Sequence, residues 1–335
     1  MKFLIIIQFL LISTISFSQN KEIKNLVFEG AGIRGIAYAG VLKSLEEHKL
    51  SENIEKVGGT SAGAIFSLLY ALGYTSDEMV DIISNTKFRK FNDGKFIFIG
   101  GFFRTKDKYG WYRGNKFKDW LGDLIEEKTG NSDITFEDLH NKGFKDLYVT
   151  ATCLNKQKMI VLSYETYPKM KVKDAVRISM SIPLYYQAVF VDSIGNTYSK
   201  QNKENSLDIM VDGGIIGNFP IQIFDTYETT SDNKEIRIPN FETIGVRIDS
   251  ESQIKEDKNS RELATYDITN FRDYVSALYI IVIENLNRNY LTDEDWTRTI
   301  SVSSIGISPK VKKLSKEQKE LLINSGKNSC DRLFD

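Results

Sequence analysis

The serine with the clearest chemical context in this sequence is Ser61, at the centre of the segment Gly59-Thr60-Ser61-Ala62-Gly63. A short strand pattern at residues 54–57 precedes the segment, and an apolar helical pattern at residues 64–72 follows it. In such a strand–turn–helix the sharp turn lifts the serine hydroxyl out of the sheet, and Gly59 and Gly63 relieve the crowding around it. The motif therefore predicts that Ser61 is a nucleophile.

A second glycine-rich segment, Gly30-Ala31-Gly32-Ile33-Arg34-Gly35, follows a strand pattern at residues 25–29 and opens a predicted helix. One interpretation is a dinucleotide-binding turn, but the second strand then needs an acidic residue at its tip, and here it ends in Lys56-Val57-Gly58-Gly59. The alternative is an oxyanion hole made of backbone N–H groups. Neighbouring parallel strands would place this turn beside Ser61, which favours the oxyanion hole.

A nucleophilic serine needs a base, and the chain has two histidines, His48 and His140. Both occur near the end of a predicted helix, where a histidine commonly has a structural role. In α/β-hydrolases the histidine follows the acid along the chain, and no histidine follows residue 140. The order of residues therefore argues against a Ser-His-Asp triad.

Among the carboxylates, Asp212 stands out because it ends the strand pattern at residues 208–211 and is followed by Gly213-Gly214. The glycines leave room for a close partner, and burial would raise the basicity of the carboxylate. An aspartate that shapes a turn before glycines produces the same pattern. On spacing alone, both interpretations stay open.

The elements around these residues alternate strand, helix, strand, helix, which predicts parallel strands joined by right-handed crossovers in an α/β domain. Residues 88–120 are rich in aromatic and basic side chains. We expect a long, partly buried loop there, with a lid or a lipid-contacting surface as the alternative. The charged stretch 251–262 is expected to be an exposed loop, and residues 268–287 are expected to be helical.

The chain of 335 residues is 41% hydrophobic and 27% charged, which suits a large core, and its net charge of -1 does not favour binding to nucleic acid. Residues 1–19 combine a basic start, a short apolar run and small polar residues, the pattern of a secretory signal peptide. Cys153 and Cys330 show no zinc-binding spacing, and the sequence leaves their oxidation state open.

The motifs at Gly30, Ser61 and Asp212, taken in this order, resemble those of the patatin-like phospholipases, G-G-G-x-R/K-G, G-x-S-x-G and D-G-G/A. Residues 176–183 and Asn218-Phe219-Pro220 are similar to two further segments of that family. The resemblance implies a three-layer αβα sandwich with a central, mostly parallel sheet. It also implies a single domain over residues 24–335, with a motif-bearing core at 24–250 and a C-terminal helical part at 262–335.

The resemblance further implies a Ser-Asp dyad, in which Ser61 attacks an ester carbonyl and Asp212 accepts its proton. Backbone N–H groups of Gly30, Ala31 and Gly32 would hold the oxyanion, and neither a metal nor a cofactor is expected.

Arg34 and Ala31 differ in how they match the family pattern at the glycine-rich turn. Arg34 matches the basic position of the family and would support the turn electrostatically or meet an anionic head group; a surface salt bridge is the alternative. Ala31 departs from the middle glycine of the family, and its Cβ would restrict the backbone if the position needs a positive φ.

The expected function is hydrolysis of carboxylic esters in phospholipids or lysophospholipids through an acyl-enzyme intermediate. A catalytically weakened lipid-binding relative, motivated by Ala31, is the second hypothesis, and a dinucleotide-binding module is the third. The expected partners are a lipid or ester substrate and, transiently, a membrane interface, without nucleic acid. After export, the protein is expected in the periplasm, at the cell surface or outside the cell.

Overall fold

The computed structural model describes residues 22–94, 97–201, 206–271, 290–308 and 313–334, together with residues 273, 274, 277, 281 and 288. The predicted signal peptide, residues 1–19, lies outside the described residues, as does much of the helix predicted at 268–287. Within the described ranges, no helix has the length and apolar character needed to cross a bilayer.

The strands of the described residues are β1 (Asn25–Phe28), β2 (Lys56–Gly59), β3 (Gly110–Tyr112), β4 (Asp146–Cys153), β5 (Lys158–Leu162), β6 (Leu184–Tyr186), β7 (Val189–Val191), β8 (Thr197–Tyr198), β9 (Asp208–Asp212), β10 (Thr226–Thr229), β11 (Glu235–Ile238), β12 (Thr243–Asp249) and β13 (Thr299–Ser303). The α-helices are α1 (Ala37–Glu47), α2 (Ala62–Ala71), α3 (Ser76–Asn85), α4 (Ile97–Lys108), α5 (Asn115–Thr129), α6 (Phe136–Asn141), α7 (Val172–Ser179), α8 (Gly214–Gly217), α9 (Glu251–Asn259), α10 (Asp293–Thr297) and α11 (Lys316–Asp331).

A nine-stranded sheet forms the central layer, in the order β13-β12-β1-β2-β4-β9-β7-β8, with β5 paired to β4. From β13 to β4 every neighbouring pair is parallel, as the alternation of strands and helices predicts. From β4 onward the pairs with β5, β9, β7 and β8 are antiparallel. The α/β fold with a central sheet and flanking helices is therefore confirmed, and the sheet itself is mixed.

The helices pack on this sheet according to the apolar surface each one carries. All ten residues of α2 are buried, which fits its uniformly apolar sequence, and α2 packs on β1, β2 and β4. Helix α7 packs on β4 and β9, and α11 packs on α1 and β13. One core cluster includes residues from Ile23 to Cys330, so the C-terminal elements share the core of the motif-bearing part.

Three segments differ from the sequence-based expectation. The stretch expected to be an exposed loop at 251–262 contains α9, whose side chains Gln253 and Asp257 are buried. The part of the chain expected to be helical, 262–335, also contributes strand β13, which extends the parallel half of the sheet. Residues 88–120, expected to be a long loop, contain α4, β3 and the start of α5. The rings of Phe88 and Phe91 pack on those of Phe117 and Trp120, which gives α5 a local aromatic core.

Candidate active site

The backbone at Ser61 has the sharp strand-to-helix turn that the motif predicts. Ser61 follows β2 and precedes α2 directly, with φ 52° and ψ −119°. A positive φ is uncommon for a residue with a side chain, and such strain is concentrated at functional sites. The side chain of Ser61 is half-buried, so it is packed by its neighbours without being fully enclosed.

The two flanking glycines are needed because backbone segments meet closely at this turn. A Cβ at Gly63 would lie 2.3 Å from the Phe28 carbonyl oxygen, and one at Gly59 would lie 2.6 Å from the Gly63 carbonyl carbon. These neighbours are backbone atoms of β1 and of the turn itself, so they cannot rotate away. The predicted role of Gly59 and Gly63 therefore has a direct steric basis.

Pairing with strand β4 places Asp212 close to Ser61. Val149 of β4 pairs with Gly59, the last residue of β2, and β4 continues beyond that point. Strand β9 pairs antiparallel with this extension, so that Ala151 lies opposite Asp212. The carboxylate thus ends β9 just past the tip of β2, where Ser61 begins α2.

Burial determines the electrostatics of Asp212, whose exposure is 6%. Desolvation raises the pKa of the carboxyl to about 7, against the opposing effects of hydrogen bonds from the Gly214 N–H and the Ser61 hydroxyl. The Gly214 nitrogen lies 2.8 Å from Asp212 Oδ1. A carboxylate with this pKa is a stronger base than an ordinary aspartate and contacts the hydroxyl that it would deprotonate.

Three consecutive residues at the end of α7 contact both groups. The Ser61 N–H donates to Ser179 Oγ at 2.8 Å, and Ser61 Oγ lies 3.4 Å from the Met180 sulfur. The Asp212 N–H donates to the Ser181 carbonyl oxygen at 3.0 Å. This segment therefore fixes Ser61 and Asp212 relative to each other.

Arg177 stabilises the segment of residues 179–181 through a hydrogen bond to Ser181. Its guanidinium is buried and donates to Ser181 Oγ, to the Arg113 carbonyl oxygen at 2.7 Å and to the Gly114 carbonyl oxygen at 3.2 Å. Desolvation lowers the pKa of Arg177 to about 10, so it stays charged at neutral pH. Arg177 lies in the stretch that resembles the family, but its tertiary contacts have no local sequence signal.

The glycine-rich turn lies beside the serine. A Cβ on Gly30 would lie 3.4 Å from the Ser61 Cβ and 2.3 Å from Asn218 Oδ1. Asn218 and Gly30 exchange two hydrogen bonds, from the Gly30 N–H to the Asn218 carbonyl oxygen at 3.0 Å and from Asn218 Nδ2 to the Gly30 carbonyl oxygen at 3.1 Å. Asn218 thus ties this turn to the segment that follows Asp212.

The donors of the predicted oxyanion hole need one correction. The Gly30 N–H is already bonded to Asn218, so it is not available to an oxyanion. The N–H groups of Ala31 and Gly32 precede or begin a 3₁₀ turn, Gly32–Ile36, and have no acceptor within that turn. They remain the candidate donors.

The conformations of the same turn also resolve the question raised by the alanine. Ala31 has φ −127°, which any residue adopts, whereas Gly32 has φ 55° and needs the freedom of glycine. The Cβ of Ala31 therefore imposes no backbone strain. Arg34 Nε donates to the Ala31 carbonyl oxygen at 3.3 Å, so its guanidinium folds back on the turn.

Both histidines are engaged at the helix ends expected for them. His48 caps α1, with Nδ1 3.1 Å from the Ser44 carbonyl oxygen. His140 lies in the last turn of α6, with Nδ1 2.7 Å from Asp146 Oδ1. Cys153 and Cys330 are free and buried. In the described part of the chain, no group of three His, Cys, Asp or Glu side chains is arranged to hold a metal ion.

Comparison with known proteins gives a family match that covers all three motifs. The family model described as patatin-like phospholipase matches residues 26–225. The uncharacterized protein YqhO of Bacillus subtilis is 32% identical over 245 residues, which cover 70% of this chain and 74% of YqhO. A protein of Invertebrate iridescent virus 6 named probable lipid hydrolase 463L is 28% identical, covering 66% of this chain and 70% of its own.

Among solved structures, VipD from Legionella pneumophila superposes with a TM-score of 0.59 at 15% identity, covering 94% of this chain and 67% of VipD. ExoU of Pseudomonas aeruginosa, in its complex with SpcU, gives a TM-score of 0.51 at 16% identity and covers 93% of this chain but 51% of that chain. At these identities the likeness concerns the fold. Because the family model spans more than half of the sequence and includes all three motifs, the chain belongs to the patatin-like phospholipase family.

Proposed function

We propose that this protein is a lipid acyl hydrolase that cleaves carboxylic ester bonds of phospholipids or lysophospholipids with Ser61 and Asp212. The observation that carries the proposal is the contact between the strained serine and a buried carboxyl whose pKa is raised to about 7. Membership of the patatin-like phospholipase family supports lipid hydrolysis as the general activity.

The first half of the proposed reaction forms an acyl-enzyme. Ser61 Oγ attacks the ester carbonyl carbon, and Asp212 accepts the hydroxyl proton. The carbonyl oxygen becomes an oxyanion, which the N–H groups of Ala31 and Gly32 stabilise. As the tetrahedral intermediate collapses, the bond to the alcohol breaks and the proton on Asp212 passes to the departing alkoxide.

The second half of the proposed reaction releases the fatty acid. Asp212 takes a proton from a water molecule, whose oxygen attacks the acyl carbon. The bond to Ser61 then breaks, and the proton returns to the serine oxygen. Both halves use one carboxyl as acid and base in turn, and a pKa near neutrality suits this double role.

Release of fatty acid from phosphatidylcholine and lysophosphatidylcholine tests the proposal. We expect Ser61→Ala to lower the rate by roughly a thousandfold or more, as the loss of a nucleophile does. Ser67 is a matched control on the same helix α2, because it is buried and its hydroxyl has no partner among the described residues. Ser67→Ala should keep the wild-type rate, and equal activity in wild type and Ser61→Ala would refute the proposal.

The weakened relative proposed as an alternative depended on Ala31 alone, and the ordinary φ of that residue gives it no support. Turnover of a short-chain nitrophenyl ester separates the two hypotheses, because a binding-only relative would show none.

We also propose that the protein is exported, on the basis of the pattern in residues 1–19. Fractionation of expressing cells, with N-terminal sequencing of the product, tests this. An intact N-terminus in the cytosolic fraction would contradict it.

A further inference from the structure

Four exposed apolar side chains form a surface that we call the apolar lip: Tyr109, Ile182, Leu184 and Tyr185. Leu184 is 68% exposed, and Tyr109 and Tyr185 are 45% and 42% exposed. Strand pairing joins the two halves of the lip, since Gly110 of β3 lies opposite Leu184 of β6. The backbone segments that carry the four side chains are therefore adjacent although they are distant in sequence.

Leu184 is presented to solvent by an unusual backbone. Its φ is 66°, in the left-handed region that a leucine rarely adopts. Strained residues of this kind persist where the surrounding structure holds them, and they concentrate at functional sites. A large apolar side chain held outward in this way gains nothing from burial in the protein itself.

The lip is continuous with the candidate active site. Ile182 directly follows Ser181, whose carbonyl oxygen accepts the Asp212 N–H at 3.0 Å. Met180, one residue earlier, lies 3.4 Å from Ser61 Oγ through its sulfur. A lipid that entered between the lip residues would therefore lie next to the chain segment that contacts Ser61 and Asp212.

A basic segment adjoins the lip. Tyr185 Oη donates to Asn92 Oδ1 at 2.8 Å. Desolvation raises the pKa of Tyr185, and the nearby positive charge of Arg89 opposes this rise. Among the described side chains of residues 86–120, the exposed cations are Lys87, Arg89, Lys90, Lys106, Arg113 and Lys116, and the exposed acids are Asp107 and Asp119. Although the whole chain has a net charge of -1, this segment is positive.

We propose that the apolar lip and the adjoining basic segment dock the protein on an anionic lipid surface. The apolar side chains enter the boundary between head groups and acyl chains, and the cations meet the lipid phosphates. This inference rests on the proposed function, because it identifies the surface from which Ser61 takes its substrate.

Binding to vesicles of phosphatidylcholine, with or without 30% phosphatidylglycerol, tests the proposal by flotation. All proteins carry Ser61→Ala, so that binding is measured without turnover. Leu184→Asn is the informative variant, because asparagine tolerates the left-handed region and removes the apolar side chain. We expect about tenfold weaker binding to the anionic vesicles. If Leu184→Asn fails to unfold cooperatively, Ile182→Asn replaces it.

The matched control is Ile236→Asn. Ile236 is 50% exposed on β11, and the hairpin β10–β11 leads into the amino end of β12, whereas Ser61 follows the carboxyl end of β2. This control should bind as the parent does. Arg89→Gln with Lys90→Gln should reduce the preference for anionic vesicles by roughly tenfold.

Three outcomes would overturn the docking proposal: no binding of the parent to either vesicle, unchanged binding by a folded lip variant, or an equal effect of Ile236→Asn. Turnover of a water-soluble ester by the wild-type protein, measured separately, tests the proposed function. Vesicle binding without ester turnover would contradict the proposed hydrolase activity but support the docking surface. Ester turnover without vesicle binding would contradict the docking surface alone.

Discussion

At the scale of single residues, the proposed mechanism makes activity depend on the protonation state of Asp212. In that mechanism the carboxyl must be ionised to accept the Ser61 proton, and desolvation raises its pKa to about 7. We therefore predict that kcat/KM for a soluble ester rises with pH along a limb whose midpoint is near 7. A rate that is constant between pH 5 and pH 8 would show that the base has an ordinary carboxyl pKa.

The same shift predicts an effect on stability. The pKa of Asp212 rises from its usual value of 3.8 to about 7 on folding, so between these two pH values the folded state binds the proton more tightly than the unfolded state does. The free energy of unfolding therefore falls as the pH rises through this interval, by on the order of 4 kcal/mol at 1.36 kcal/mol per pKa unit.

Asp212→Asn removes the buried charge and should raise the Tm by several degrees at pH 8, while it changes the Tm little at pH 4. Calorimetry at the two pH values measures this difference. A variant that is less stable than wild type at pH 8 would contradict the assignment of a costly buried carboxylate.

The residues with local motifs could be predicted from the sequence, and those that act through tertiary contacts could not. Ser61 and Asp212 stand beside glycines whose spacing reflects the backbone around them. Ser179 and Arg177 of helix α7 support them through contacts between distant parts of the chain, and no neighbouring residue indicates these partners. The hydrogen bond from the Gly30 N–H to the Asn218 carbonyl oxygen is likewise a contact between segments that are distant in the sequence.

At the scale of elements, the parallel half of the sheet follows from the alternation of strands and helices. The antiparallel pairing of β9 with β4 does not follow from it, because a strand pattern does not indicate the direction of the strand. The pairing also depends on the extra length of β4. The sequence does not predict strand β13, because its alternating pattern spans only five residues and lies among helical patterns. Charged residues dominate the sequence of helix α9 and therefore favour an exposed loop, although two of its polar side chains are buried.

Close packing of α1 against α11 gives an element-scale prediction. A Cβ at Gly326 would lie 2.0 Å from the Ala37 carbonyl oxygen, a backbone atom that cannot move alone. Gly326→Ala should therefore destabilise the protein by about 1–3 kcal/mol or more.

Gly122 of α5 is a matched control, because a Cβ there would lie 3.4 Å from the Lys173 Nζ, an ordinary contact. Gly122→Ala should leave stability unchanged or raise it by up to about 1 kcal/mol. Urea denaturation of both variants measures the difference, and similar midpoints would show that the helices are not in tight contact.

At the scale of the whole molecule, the segment after residue 250 completes the core rather than adding a separate unit. Strand β13 covers the edge of β12, and α11 packs on α1, which follows the glycine-rich turn. Ile300, Val302, Leu322 and Cys330 are buried in the shared core. We predict that a chain ending at residue 250 lacks a cooperative thermal transition; a sharp transition with ester turnover would contradict this.

The central claim is that Ser61 is the nucleophile and that Asp212 activates it. Covalent labelling with a fluorophosphonate probe, followed by peptide mass spectrometry, tests this claim most directly. We predict one adduct, on Ser61, formed by the wild-type protein at pH 8 and at least tenfold more slowly by Asp212→Asn. An adduct on another residue, or labelling of Ser61 at the same rate in Asp212→Asn, would contradict the dyad.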